Sequence, residues 1–271
     1  MDQTALMKAL DFVYDKAIEG IPGTEGIPGM GSVEDFAQSY MKGDKSLEEK
    51  VDSLIQFQVT KASASGFVNG LGGFVTMPIT LPTNLVSVFY IQLQMAAAIA
   101  YMAGYNVRDD RVRTFCYVCL CGESASKVLR GAGITIGKKL TEQMIKRLSF
   151  ETIKKVNKAV GFRLVTKFGQ TGAINLGKAV PVIGGLVGAA FDGTTTYVVG
   201  EMGKRTFIEG YEARSNSTTE SDDGFWEREL ALFERDVSHL GKSIQKQFSD
   251  VQDLFSGPAD EDEGRRKTWW A

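Results

Sequence analysis

At 271 residues, 43% hydrophobic and 24% charged, the chain is long enough to bury a full core. Its net charge of −2 excludes the concentrated basic face that general nucleic-acid binding requires, so no nucleic acid is expected as a partner. Three cysteines and one histidine leave little material for a disulfide framework or a zinc site.

Thr4–Glu19 reads as an amphipathic helix, with Leu6, Leu10, Val13, Ala17 and Ile18 near one face. It lacks the basic start and apolar stretch of a secretory signal, so a cytoplasmic location is expected, peripheral to or inserted in an inner membrane. A short tandem follows, Glu19-Gly-Ile-Pro-Gly23 and Glu25-Gly-Ile-Pro-Gly29, whose Pro-Gly pairs suit type II turns. Val33–Tyr40 is a short helix. Ser46-Leu-Glu-Glu49 is a capping box, and Leu47, Val51, Leu54, Ile55 and Val59 behind it keep helical spacing.

The next 46 residues, Ala62 to Val107, contain no Lys, Arg, Asp or Glu. That length crosses a bilayer twice at about 20 residues per pass. Its first half carries Gly66, Gly70 and Gly73 on a small-residue face that admits a close helix neighbour. Pro78 and Pro82 divide it from a second helix, Thr83–Ala103, stopped by Gly104. The run reads as a helical hairpin, a buried core element first and a membrane-inserting element second. Asp109 or Asp110 caps the helix that follows, and the apolar run Phe115–Leu120 and Cys121 hold the cysteines Cys116, Cys119 and Cys121, expected as reduced core thiols. Two or three helices follow through Gly161, one of them begun at Ser149.

A second glycine-ridged segment spans Gly172–Gly203, with Pro181 at a helix start. Gly184, Gly185, Gly188 and Gly193 form adjoining small-residue stripes, taken with Gly66, Gly70 and Gly73 as helix-packing glycines. Residues 214–223 are a polar linker. Residues 224–256 form an amphipathic helix whose strip of Trp226, Leu230, Phe233, Val237 and Leu240 is expected to meet the body, a partner or a second copy. Residues 257–271 read as a disordered tail.

Catalytic motifs are sparse. Gly131-Ala-Gly-Ile-Thr-Ile-Gly137 misses the dinucleotide fingerprint by one residue, and there is no Walker A loop, no Gly-x-Ser-x-Gly and no His-Glu-x-x-His. No cofactor and no metal are expected. The candidates for ligand binding or a polar core are Asn84, Gln92, Glu123 and Asp192. Asp192 is the sharpest, a single charge between Ala179 and Gly200, either a ligand or proton site or a salt-bridged or exposed helix residue. Gln92 and Gln94 are two positions apart and point to different faces.

The blocks Ser65-Gly-Phe-Val-Asn-Gly-Leu-Gly-Gly-Phe-Val-Thr-Met-Pro-Ile-Thr-Leu-Pro82, Ile91-Gln-Leu-Gln94 and Ile99-Ala-Tyr-Met-Ala-Gly-Tyr105 resemble the EcsC family. So do Gly161-Phe-Arg-Leu-Val-Thr-Lys-Phe-Gly169 and Lys178-Ala-Val-Pro-Val-Ile-Gly-Gly185 with Asp192. The resemblance covers residues 1–213. It implies a bacterial α-helical protein with membrane association and a link to a transporter, and hands over no catalytic residue.

The expected fold class is all-α, one large helical domain around two Gly-rich apolar segments. The leading functional expectation is a non-enzymatic, membrane-associated factor, regulatory or stress-related, that seats its apolar hairpin against a bilayer or a membrane-protein partner. The alternative is a soluble helical domain holding a lipid-like ligand in an internal cavity. An enzyme using Asp192 and Glu123 ranks third.

Overall fold

Nine α-helices and no strand occur among the residues described by the computed structural model, which are 2–24, 29–63, 83–134, 141–175 and 181–210. All of them lie in one unit, Met1–Thr218. Gly66, Gly70 and Gly73 fall outside the described residues, as do the linker, the strip from Trp226 to Leu240 and the tail. The all-α expectation is met.

The first helix, α1 (Gln3–Glu19), starts where Asp2 accepts a hydrogen bond from the Ala5 amide at 2.9 Å. It ends at Gly20, whose φ of 84° suits glycine. The first Pro-Gly pair then makes the expected turn: the Thr24 amide donates to the Ile21 carbonyl at 3.2 Å, with Gly23 at φ 81°. Ser32 caps α2 (Val33–Met41). The capping box at the head of α3 (Leu47–Ser63) is reciprocal. Ser46 N donates to Glu49 Oε2 at 2.8 Å, and Glu49 N donates to Ser46 Oγ at 3.2 Å.

The second half of the charge-free run is α4 (Thr83–Met102), and it is the centre of the described helices. Every residue from Val86 to Ala100 is buried. Helices α1, α2 and α3 pack on it, together with α5 (Asp110–Leu120) and α9 (Pro181–Lys204). A helix enclosed from several sides has no solvent face to mark with polar residues, which explains why α4 is apolar all round.

Asp109 caps α5 through the Arg111 amide at 2.8 Å. A 3₁₀ turn, Gly122–Ser124, leads to α6 (Ala125–Gly131), followed by the short α7 (Glu142–Lys146). Helix α8 (Phe150–Asn175) runs through Gly161 without interruption. The glycine there makes room: a Cβ at Gly161 would stand 2.8 Å from Gln3 Cγ, and Gln3 Nε2 donates to the Lys158 carbonyl at 2.8 Å. Pro181 occupies the first position of α9, and a π-helical turn, Arg205–Glu209, ends the described chain before Gly210.

Candidate functional site

Helix α4 is apolar but not without polar groups, and these sit on opposite sides of it. On the side facing α3 and the second Pro-Gly segment, Gln58, Lys61, Tyr90 and Gln94 meet the carbonyls of Gly29, Met30 and Gly31. Lys61 Nζ donates to the Gly29 carbonyl at 2.7 Å and lies 5.7 Å from the centre of the Tyr90 ring. Gln94 Nε2 donates to the Gly31 carbonyl and to the Tyr90 hydroxyl, each at 3.2 Å. Gln58 Nε2 donates to Gln94 Oε1 at 3.2 Å.

The cluster is dry. Gln58 and Gln94 are fully buried and Lys61 is 8% exposed. Loss of hydration pushes the Lys61 ammonium down to about 7, against an ordinary value of 10.5. Burial also raises the Tyr90 phenol, an effect partly opposed by its hydrogen bond with Gln94. Among the described residues Gln58 Oε1 has no hydrogen-bond partner, and a buried carbonyl left without one costs about 1–3 kcal/mol.

On the α9 side, Gln92 Nε2 donates to the hydroxyls of Thr195 and Thr196, at 3.3 and 3.2 Å. Gln92 and Gln94 do point to different faces, and both are buried because α4 has neighbours on each. Asp192 lies one turn before Thr196 and is half-buried. Among the described residues no ion pair reaches its carboxylate, and burial raises its pKa to about 6 from the usual 3.8. The salt bridge that was one of its alternatives is thus not formed with any described residue. The side chains of Asn84 and Glu123 lie outside the described residues, and of the other two candidates Gln92 on α4 reaches Asp192 on α9 only through Thr195, whose hydroxyl accepts from Gln92 Nε2 and donates to the Asp192 carbonyl.

Close backbone approach holds the second side shut. A Cβ at Gly193 would collide with Ser63 Oγ of α3, and one at Gly200 would stand 2.8 Å from Ile55 Cγ1. One at Gly203 would meet Ile99 Cδ1 of α4 at 3.0 Å. Gly184, Gly185 and Gly188 belong to the same helix, with their surroundings outside the described residues.

The cysteines sit on α5 and just past it, buried, with no disulfide among the described residues. Burial lifts the Cys119 thiol to about 12 and raises Cys116 as well. Both are poor nucleophiles in that state. No three His, Cys, Asp or Glu side chains converge as a metal site would need among the described residues.

Spacing marks Gln58 and Lys61, although neither is an evident site residue by type. Val51, Leu54, Gln58 and Lys61 follow one stripe at three- and four-residue steps, so two polar residues occupy core positions of α3. The chemistry this permits is a lysine whose charge varies near neutral pH, tied to a loop carbonyl and placed immediately before the charge-free segment begins.

The family model described as the EcsC protein family matches residues 11–209. Comparison with curated proteins and with solved structures gives no match.

Proposed function

The chain belongs to the EcsC protein family, and from that premise we propose that it is a non-enzymatic, membrane-associated factor acting through its apolar hairpin. Its second arm, α4, is held in the protein core in one state, and the charge-free run seats against a bilayer or a membrane-protein partner in another. The supporting observation is the dual character of α4. Leu85–Met102 is an uncharged 18-residue stretch, long and apolar enough to cross a membrane, yet it is largely buried under helices of the same chain.

A buried helix of this composition is equally the core of a water-soluble protein, so length and apolarity are insufficient by themselves. Its polar links add to the case. Gln92, Gln94 and Lys61 bind α4 and the end of α3 to their surroundings through hydrogen bonds, which specify the closed arrangement but add only about 0.5–1.5 kcal/mol net apiece. Basic residues flank the charge-free run, Lys61 before it and Arg108, Arg111 and Arg113 after it. That placement keeps both ends of an inserted hairpin on the cytoplasmic side.

Alkaline carbonate extraction of membranes from expressing cells tests the reading. It predicts that a fraction of the full chain stays with the extracted membranes. A chain found wholly in the soluble fraction, and indifferent to added vesicles, contradicts it.

A further inference from the structure

The largest exposed apolar side chains among the described residues are Phe150, Phe162, Met144 and Met41, and three of these four fall between residues 144 and 162. Phe150 and Phe162 are 69% and 68% exposed on α8, a helix whose Val156, Val160 and Leu164 are buried. Among the described residues, these two open phenylalanines on the outer side of an amphipathic helix have no packing role.

Their neighbours give the face its chemistry. At 100° per residue, Phe150, Lys154, Lys158, Phe162 and Lys155 occupy one arc of about 140°. Lys154, Lys155 and Lys158 are all exposed, and the Lys154 ammonium stands 4.5 Å from the centre of the Phe150 ring. Over residues 141–166 the sequence holds six basic residues and two acidic ones, in a chain whose net charge is −2. One of the two acids, Glu142, is already paired with Lys146 at 2.7 Å. Three of the six basic residues, Lys154, Lys155 and Lys158, thus share one outer strip with a single acid, Glu151, leaving a net charge of +2 between aromatic rings about 18 Å apart along the axis.

We propose that the outer face of α8 is a docking surface for an anionic lipid bilayer, with the helix lying parallel to the membrane plane. Lysines reach the lipid phosphates while Phe150 and Phe162 enter the boundary between headgroups and acyl chains. Charge complementarity selects this occupant. A protein groove or a nucleic acid would satisfy the lysines, but neither requires two separated phenylalanines facing the same way. The inference deepens the membrane reading above by naming a contact surface, and it rests on that reading for its occupant. It differs in mechanism, because surface docking is reversible and sensitive to salt, whereas hairpin insertion is not.

Co-sedimentation of the full chain with vesicles of phosphatidylcholine, with and without phosphatidylglycerol, decides the matter. The wild-type protein is expected to bind the anionic vesicles and to be released by high salt. Lys154→Glu with Lys158→Glu should weaken that binding at least tenfold, at roughly fivefold per charge removed. Phe150→Ser with Phe162→Ser should weaken it several-fold without changing the salt dependence. These side chains are exposed, and unchanged thermal unfolding verifies that each variant is folded.

Equal binding by the lysine variant, or none by the wild type, overturns the docking surface. Retention of full binding by the phenylalanine variant also overturns it, since the face is then a general polyanion site. Salt-resistant binding that ignores both variants overturns the surface and leaves the hairpin reading intact. Binding wholly lost in salt supports the surface and counts against the hairpin.

Discussion

Lys61 Nζ and the Gly29 carbonyl oxygen lie 2.7 Å apart, joining the last turn of α3 to the second Pro-Gly segment across 32 residues of chain. The contact places an ammonium where water is excluded, and its pKa falls to about 7. In the unfolded chain the same group holds its proton up to about 10.4. Between these values the unfolded state binds more protons, so stability rises with pH from about 7 upward, by as much as ~1.4 kcal/mol per unit for one group. Below about 7 the lysine is protonated in both states and its contribution to the slope vanishes. Urea unfolding followed across this window should show the rise in the wild type and a flattened profile in Lys61→Met. An unchanged slope in the variant would remove Lys61 from the account.

Asp192 gives a slope of opposite sign in a separate window. Its folded pKa of about 6 exceeds the usual 3.8, so the folded state keeps the proton longer, and stability falls as pH rises from about 4 to 6. Discounted for partial exposure, Asp192→Asn should raise stability at neutral pH by roughly 1 kcal/mol. Chemical denaturation of both proteins at neutral and mildly acidic pH checks this, with the difference shrinking on acidification.

The close approach of α9 to α3 predicts contrasting outcomes for two glycine substitutions. Gly200→Ala drives a methyl against Ile55, whose Cγ1 and Cγ2 stand at 2.8 and 2.9 Å from the added Cβ. Overpacking of this kind costs about 1–3 kcal/mol, offset by up to about 1 kcal/mol of helix propensity. Gly131→Ala in α6 meets nothing within 4 Å and should stabilise by a few tenths of a kcal/mol. Calorimetric melting of the two variants beside the wild type measures both signs.

Thiol labelling probes the core around α5. Cys116, Cys119 and Cys121 are buried, and burial raises the pKa of the first two. A disulfide reagent at neutral pH should leave all three unmodified on the timescale of minutes and titrate three thiols once the chain is denatured. Rapid labelling of the folded protein would mean that α5 is not enclosed as described.

The local signals of the sequence proved the most readable. Ser46-Leu-Glu-Glu49, Asp109 and Pro22-Gly23 each act through atoms within a few residues, and their hydrogen bonds form as the residue types dictate. Gly161 was harder, because its place inside α8 depends on Gln3, a contact 158 positions away in the chain. The Lys61 cluster was hidden for the same reason. Type marks Lys61 as a solvent-facing flank, while its position on the Val51–Leu54–Gln58 stripe places it in the core, and the carbonyl that holds it comes from another loop. For α4, apolarity on all sides signalled enclosure without telling a protein core from a bilayer.

The central claim is that α4 leaves its sheath when the protein engages a membrane, and a reversible lock tests it. A Cβ at Gly203 would lie 3.8 Å from Ile99 Cβ, within the ~3.5–4.5 Å that a disulfide spans. The double variant Ile99→Cys, Gly203→Cys, which also removes the Ile99 δ-methyl from the contact, ties α4 to α9. Carbonate-resistant binding to vesicles should be lost in the oxidised protein and recovered on reduction. Equal carbonate-resistant binding in the oxidised and reduced forms would show that α4 stays in the core, and would contradict the account.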